Sequence, residues 1–261
     1  MWYPELPTLN HHKPEQSPII KNKRNKVVYM PSCASRSMGQ QSDNDEQRSL
    51  TEVTMSLINK AGFEVIIASD LSSQCCGMPY DSKGMSTIAQ QKSRQLEATL
   101  WYASEQGKWP VLMDTSPCAK RSIEEFTLPI EILEPTGFVE KYLMGHLAIS
   151  PIDETVMLHV TCSSRLLGLE NSMLQLAKAC ATEVIIPEHI QCRGWAGDKG
   201  FTTPELNKEA LKTLKEQVPE KCSRGFSNSR TCEIGLSHHS GIPYQSILYL
   251  VDEASSANVE R

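Results

Sequence analysis

The pattern of apolar and polar positions changes abruptly near residue 26. Before it, Pro4, Pro7, Pro14 and Pro18 break any period of two or 3.6, and Lys21, Lys23, Arg24 and Lys26 close the stretch. Residues 1–25 therefore read as a linker. Lys26-Val27-Val28-Tyr29-Met30-Pro31 is a β-rich run suited to a buried strand and stopped by proline. Leu50, Val53, Leu57, Ile58 and Ala61 recur at three- and four-residue steps, which predicts a helix over 46–61 with Gly62 as its cap. Residues 64–68 read as a second strand, and 86–106 as a helix with Ile88, Leu96, Leu100 and Ala103 facing inward. Residues 110–113 read as a third strand, while 119–126 and 138–147 read as helical. Strands alternating with helices predict a mostly parallel sheet with helical crossovers.

The pattern then restarts. Residues 155–160 form a strand, Leu169, Met173, Leu176, Ala177 and Cys180 share one helix face, and 183–186 form another strand. Thr203-Pro204 opens a helix that runs through Leu206, Ala210, Leu211 and Leu214, and 246–251 is a last apolar segment. The expected fold class is α/β: two pseudo-repeated Rossmann-like modules with short, mostly parallel sheets, over 26–150 and 151–261.

The cysteines repeat in step with the elements. Ser32-Cys33 ends the first strand of one half, and Thr161-Cys162 the first strand of the other. Gln74-Cys75-Cys76-Gly77 is echoed by Gln191-Cys192-Arg193-Gly194. Cys118 and Cys232 follow these landmarks at about the same interval, roughly 40 residues.

Composition narrows the chemistry. A chain of 261 residues carries one large domain or two small ones, and its net charge of −5 argues against nucleic acid as a partner. No stretch approaches the ~18 apolar residues of a membrane span, and Met1-Trp2-Tyr3-Pro4 lacks a secretory layout. The expected location is cytoplasmic, or peripheral at the inner face of the membrane. Nine cysteines in such a chain point to metals, iron–sulfur clusters or redox chemistry rather than a disulfide framework.

Loops leaving the carboxyl ends of parallel strands gather on one edge, so Cys33, Cys75, Cys76 and Cys118 can meet there. Four thiolates satisfy either a tetrahedral zinc or a [4Fe–4S] cluster. A vicinal Cys-Cys pair suits a cluster of several irons, or a strained redox disulfide, better than one ion.

These segments resemble a known family. Pro31-Ser32-Cys33-Ala34-Ser35-Arg36, Cys75-Cys76-Gly77-Met78-Pro79 and Asp114-Thr115-Ser116-Pro117-Cys118 are similar to the duplicated cysteine-rich "CCG" domain. So are His159-Val160-Thr161-Cys162, Gly194-Trp195-Ala196-Gly197-Asp198-Lys199-Gly200 and Ser229-Arg230-Thr231-Cys232. That domain occurs in heterodisulfide reductase, in the iron–sulfur component of glycolate oxidase, and at the carboxyl end of flavin-dependent D-lactate dehydrogenases.

The resemblance implies an iron–sulfur cluster on Cys33, Cys75, Cys76 and Cys118, and metal ligation by Cys162, Cys192 and Cys232. It implies an electron-transfer role between a FAD-binding dehydrogenase portion or subunit and a quinone, cytochrome or thiol acceptor.

The chain also departs from the pattern. The family pairs its final cysteine with one slightly upstream, where Met113, Thr115 and Ser229 stand here. Arg193 replaces the second cysteine of the vicinal pair, leaving Cys222 as a candidate fourth ligand in the second half. There is no Cys-x-x-Cys-x-x-Cys run and no Gly-rich dinucleotide fingerprint, so FAD is expected only on a partner or a missing segment. The expectation is an oxidoreductase component that is not catalytic alone.

Two other functions compete with this one: a zinc-binding or structural docking module, and a thiol–disulfide reductase using Cys75 and Cys76. Outside the cysteine landmarks, Cys180 and Trp101 read as packing residues, as does Trp195. His159 reads as a hydrogen-bonded core histidine, His238-His239 as an exposed loop pair, and residues 197–200 as a turn.

Overall fold

Alternate residues of the first strand, β1 (Lys26–Met30), enter different cores: Val27 and Tyr29 one, Val28 and Met30 another. Burial on both faces is what a central strand of a helix-covered parallel sheet requires. The computed structural model describes residues 25–38, 48–190 and 199–258.

In the first half β1 is followed by α1 (Cys33–Ser37), α2 (Leu50–Lys60), β2 (Glu64–Ile67), α3 (Met78–Asp81) and α4 (Ser86–Ala103). Next come β3 (Val111–Met113), α5 (Ser116–Glu125), β4 (Ile132–Leu133) and α6 (Pro135–Phe138). The sheet order is β2-β1-β3-β4, all parallel, with Val28 opposite both Ile66 and Val111.

The linking strand β5 (Leu147–Ile149) leads to β6 (Ile152–Leu158), α7 (Cys162–Leu166), α8 (Glu170–Cys180) and β7 (Ala181–Ile185). Then follow α9 (Lys199–Thr202), α10 (Pro204–Ala210), β8 (Gly225–Ser227), α11 (Arg230–Ser240), β9 (Tyr244–Ser246), α12 (Ile247–Glu253) and β10 (Ser255–Ala257). The second sheet is β7-β6-β8-β9, again all parallel and in the same order as the first. The α/β fold with short parallel sheets is thus present in both halves. Among the described residues no helix is long and apolar enough to cross a membrane.

Local chemistry explains the element boundaries and their departures from the pattern. Ser49 opens α2 with a reciprocal capping box to Glu52, and Gly62 follows its last turn with φ of 81°. In α4 the inward face is Ala89, Leu96 and Leu100, while Ile88 is 42% exposed. Ala89 lies two turns before Leu96 and takes the inward place; Ile88 is rotated off that face. α10 ends at Ala210, which leaves Leu206 exposed and lets Leu211 and Leu214 turn in beside Met157. The helical stretch placed at 138–147 is shorter: α6 runs on into a single π turn over Val139–Leu143, and Leu147 starts β5.

The largest core is common to the two halves. Leu57 and Ile58 of α2, Phe138 of α6, Val156 and Leu158 of β6, Met173 of α8 and Leu250 of α12 belong to one buried cluster. Helix α12, near the carboxyl end, packs on α2 and α8. Asp252 of α12, buried, pairs with Arg48 Nη1 at 2.9 Å and Lys60 Nζ at 2.7 Å. Each large side chain in this layer contributes about 1.5–3 kcal/mol by leaving water, so the halves hold each other together mainly by apolar burial. The second faces of the two sheets are covered separately, by clusters that include Leu96 and Leu100 in the first and Leu211 and Leu236 in the second.

Candidate cysteine site

Three strand exits converge at the carboxyl edge of the first sheet. After β1, Ser32 caps α1, its Oγ accepting from Ser35 N at 3.1 Å, and Cys33 is the first helical residue. After β3, the buried Asp114 carboxylate accepts from Tyr29 Oη and Ser32 N, both at 2.9 Å, tying the two exits together. Pro117 then stands in the first turn of α5, with Cys118 beside it.

The third exit carries Cys75 and Cys76, and it is held on both sides. Arg36 Nη2 donates to Gln74 O at 3.0 Å, and Arg121 Nε donates to Cys76 O at 2.9 Å. Arg121 itself is buried and anchored by Asp81 at 2.8 Å. Gly77 adopts φ of 86°, and a Cβ there would lie 2.3 Å from Ala89 O, so glycine is needed on two counts.

Cys33, Cys75, Cys76 and Cys118 line one small cavity, walled by Met30, Leu96, Met113 and Gln74. Cys76 Sγ lies 3.2 Å from Cys118 Sγ. The Cys33 and Cys76 thiols also hydrogen-bond to Cys75, whose Sγ accepts from Gly77 N at 3.4 Å. The Cys33 bond, with those from Cys76 and Gly77 and the charge of Lys92, holds the Cys75 thiol far below its ordinary range despite burial. Cys33 is pushed up by its bond to Cys75, and Cys76 by its bond to Cys118.

Four sulfurs about one pocket, with no carboxylate or imidazole lining it among the described residues, are the soft donor set that an iron–sulfur cluster takes. Among the described residues no three His, Cys, Asp or Glu side chains are arranged to hold a single metal ion.

The second half repeats the frame with fewer thiols. Cys162 is the first residue of α7, exposed, behind the Thr161 cap; Cys232 lies buried in the first turn of α11. These are the places of Cys33 and Cys118. Cys192, Arg193 and Trp195 lie outside the described residues, as do Gly197 and Asp198 of the turn expected at 197–200, while Lys199 and Gly200 open α9 instead.

Cys222 does not join the second set. It precedes β8 and so lies at the amino edge of the sheet, its Sγ donating to Arg224 O at 3.4 Å, whereas Cys162 and Cys232 follow strand ends. Cys180 is buried in the shared core, and burial pushes its thiol up to about 12. His159 is buried with Nδ1 3.2 Å from Ser227 Oγ. His238 and His239 sit in the last turn of α11 rather than in a loop, because that helix continues to Ser240 before Gly241 turns the chain. Trp101 is half-buried on α4.

A buried polar network between the two frames was not evident from the sequence. Ser116 Oγ lies 2.7 Å from Thr161 Oγ1 and 2.8 Å from Ser163 Oγ, and Ser116 N donates to Asn228 O at 2.9 Å. Asn228 Nδ2 donates to Ser164 Oγ at 2.8 Å and to the Glu134 carboxylate. Burial pushes the Glu134 carboxyl up to about 7, against its hydrogen bonds from Gly137, Thr136 and Asn228. The usable signal was the recurrence of Ser/Thr-Cys-x-Ser at 32–35 and 161–164, together with the matching Asp114 and Asn228.

No curated protein matches the chain. Among solved structures it is similar to Picrophilus torridus aspartate racemase, at 11% identity and a TM-score of 0.39, over 92% of this chain and 97% of that one. It is also similar to glutamate racemase from Aquifex pyrophilus, at 11% identity and a TM-score of 0.40, over 87% of this chain and 81% of that one. Likenesses at this level carry no functional argument. The cysteine-rich domain family, CCG, matches residues 27–117, the segment that holds β1 to β3 and three of the four clustered cysteines. Over that segment the chain is similar to the cysteine-rich CCG domain.

Proposed function

We propose that this chain is an iron–sulfur electron-transfer module, with Cys33, Cys75, Cys76 and Cys118 as the ligands of one [4Fe–4S]-type cluster. The observation that carries the reading is the meeting of these sulfurs in one cavity at three strand exits. When bound, such a cluster supplies one-electron storage at a potential set by its surroundings. The chain's own residues present the thiolates, fix the Cys75-Cys76 peptide through Arg36 and Arg121, and exclude water with Met30, Leu96 and Met113. In the finer form of the proposal the module serves a flavin-dependent D-lactate dehydrogenase, taking electrons from reduced FAD on a partner and passing them to a quinone or cytochrome. Cys162, Cys192 and Cys232 are proposed as ligands of a second site in a second module over 151–261.

Anaerobic reconstitution with iron and sulfide tests this. The expected product is brown, with iron and acid-labile sulfide in equal amounts. Loading is expected to be lost in Cys33→Ser and Cys76→Ser and kept in Cys180→Ser. A colourless protein that takes up zinc instead would overturn the reading. The finer form predicts no lactate oxidation by the isolated chain with added FAD, and electron uptake from a reduced flavoprotein partner.

A second reading is favoured by the 3.2 Å separation of Cys76 and Cys118 sulfurs. These two thiols would reduce a disulfide substrate, losing two electrons and two protons as their own S–S bond forms. Metal-free protein with two titratable thiols and disulfide-reductase turnover would favour it over the cluster.

A further inference from the structure

Cys33, Cys75, Cys76 and Cys118 all belong to the first half, yet two of the three exits that carry them are held from the second. Helix α5, whose third residue is Cys118, has no cap of its own: the Thr115 hydroxyl makes no capping bond, in contrast to Ser32 on α1 and Thr161 on α7. An uncapped helix start leaves backbone N–H groups in need of an acceptor. Asn228, at the exit of β8, supplies one: its main-chain O accepts from Ser116 N at 2.9 Å.

The Ser116 side chain is gripped by the same neighbours. Its Oγ lies 2.7 Å from Thr161 Oγ1, 2.8 Å from Ser163 Oγ and 3.3 Å from Asn228 Oδ1. All four residues are buried, which strengthens these bonds by keeping water away. Helix α1, which begins with Cys33, is held at its other end, where Arg230 Nε of α11 donates to Met38 O at 3.0 Å. The Cys118 Sγ lies 3.2 Å from Cys76 Sγ, so any shift of the α5 start moves this sulfur against the others.

Resting on the cluster reading above, we propose that Thr161, Ser163 and Asn228 form a cap supplied across the seam, which holds Cys118 against the other three sulfurs and lets the second half control retention of the first cluster. They are positioning residues: they act through Ser116 and α5 and touch no iron.

The test uses the full chain carrying Cys162→Ser as its parent, an exposed position whose change removes one thiol of the second set. Thr161→Val keeps the shape and loses the hydroxyl, and Thr161→Ser keeps the hydroxyl. Asp252→Ala loosens the two halves away from this junction. Each is reconstituted with iron and sulfide, and iron retention against a chelator is read beside the urea midpoint. Thr161→Val is expected to reduce retention about tenfold, and Thr161→Ser to restore it. Asp252→Ala is expected to leave retention unchanged although the midpoint falls. Ser116→Ala should reproduce the loss, and its combination with Thr161→Val should be no worse than either alone, because both break one contact.

Should Thr161→Val fail to fold, Ser163→Ala, which removes one hydroxyl of the junction, decides the question in the same way. Retention equal to the parent in the folded variant, or a loss matched by Asp252→Ala, would overturn this inference and leave the cluster reading standing. Wild-type protein that takes up no iron would remove both.

Discussion

The Arg121 guanidinium donates to the carbonyl oxygen of Cys76 from Nε at 2.9 Å, while its Nη1 is held by Asp81 at 2.8 Å. One buried cation thus grips the vicinal pair from the α5 side and ties it to Asp81. Arg121→Met keeps the bulk and removes both effects. Iron retention against a chelator is expected to fall about 10- to 100-fold, the usual range for outer partners of ligands; retention equal to wild type would refute the clamp.

Gly77 and Gly62 offer a matched comparison. Both have left-handed φ, 86° and 81°, but only Gly77 has a backbone atom where Cβ would go, Ala89 O at 2.3 Å. Gly62→Ala is expected to cost about 1–2 kcal/mol from φ alone. Gly77→Ala should cost roughly 3 kcal/mol or more, because the chain must also move. Urea midpoints of the two variants in metal-free protein check the order.

Asp252 joins α12 to α2 through Arg48 and Lys60. Both cations are partly exposed, 45% and 29% at the side chain, so water shares their charge. Asp252→Ala is therefore expected to destabilise by about 1–3 kcal/mol, below the figure for a fully buried pair. A loss under about 0.5 kcal/mol in urea unfolding, the range of an ordinary surface substitution, would contradict the pairing.

Glu134 makes stability depend on pH. Its carboxyl titrates near the ordinary 4.5 in the unfolded chain and near 7 in the folded one, because burial disfavours its charge. The folded state holds the proton more tightly, so this contribution is full below pH 4.5 and is lost as pH rises through 7. The loss is on the order of 3 kcal/mol. Glu134→Gln is expected to flatten the change in urea midpoint between about pH 5 and pH 8, the window in which the folded-state proton is lost, and an unaltered slope would count against it.

Much of this fold was legible because its signals are local. The runs at 26–30 and 64–67 and the period of α2 need no distant partner. β4, β8 and β9 were not legible: two or three residues show no period, and each forms only against a neighbour already in place, β4 on β3, β8 on β6 and β9 on β8. The meeting of Cys33, Cys75, Cys76 and Cys118 followed from strand-exit logic, since parallel strands deliver their loops to one edge. The inward place of Ala89 rather than Ile88 did not, because hydrophobicity ranks isoleucine first and packing against α3 decided otherwise. The Ser116–Thr161–Asn228–Glu134 network was hidden for a similar reason. Serine and threonine beside a strand end usually mark solvated caps, and only the apposition of the halves buries them.

The packing of α12 on α2 sets an order for biosynthesis. Residues 247–253 leave the ribosome nearly two hundred positions after residues 50–60, so the nascent amino-terminal half emerges with Leu57 and Ile58 uncovered. Its thiol-bearing loops are all translated before the helix that seals the layer beneath them. Premature termination anywhere upstream of Ile247 would release a chain with an open apolar face, a ready target for chaperones and proteolysis.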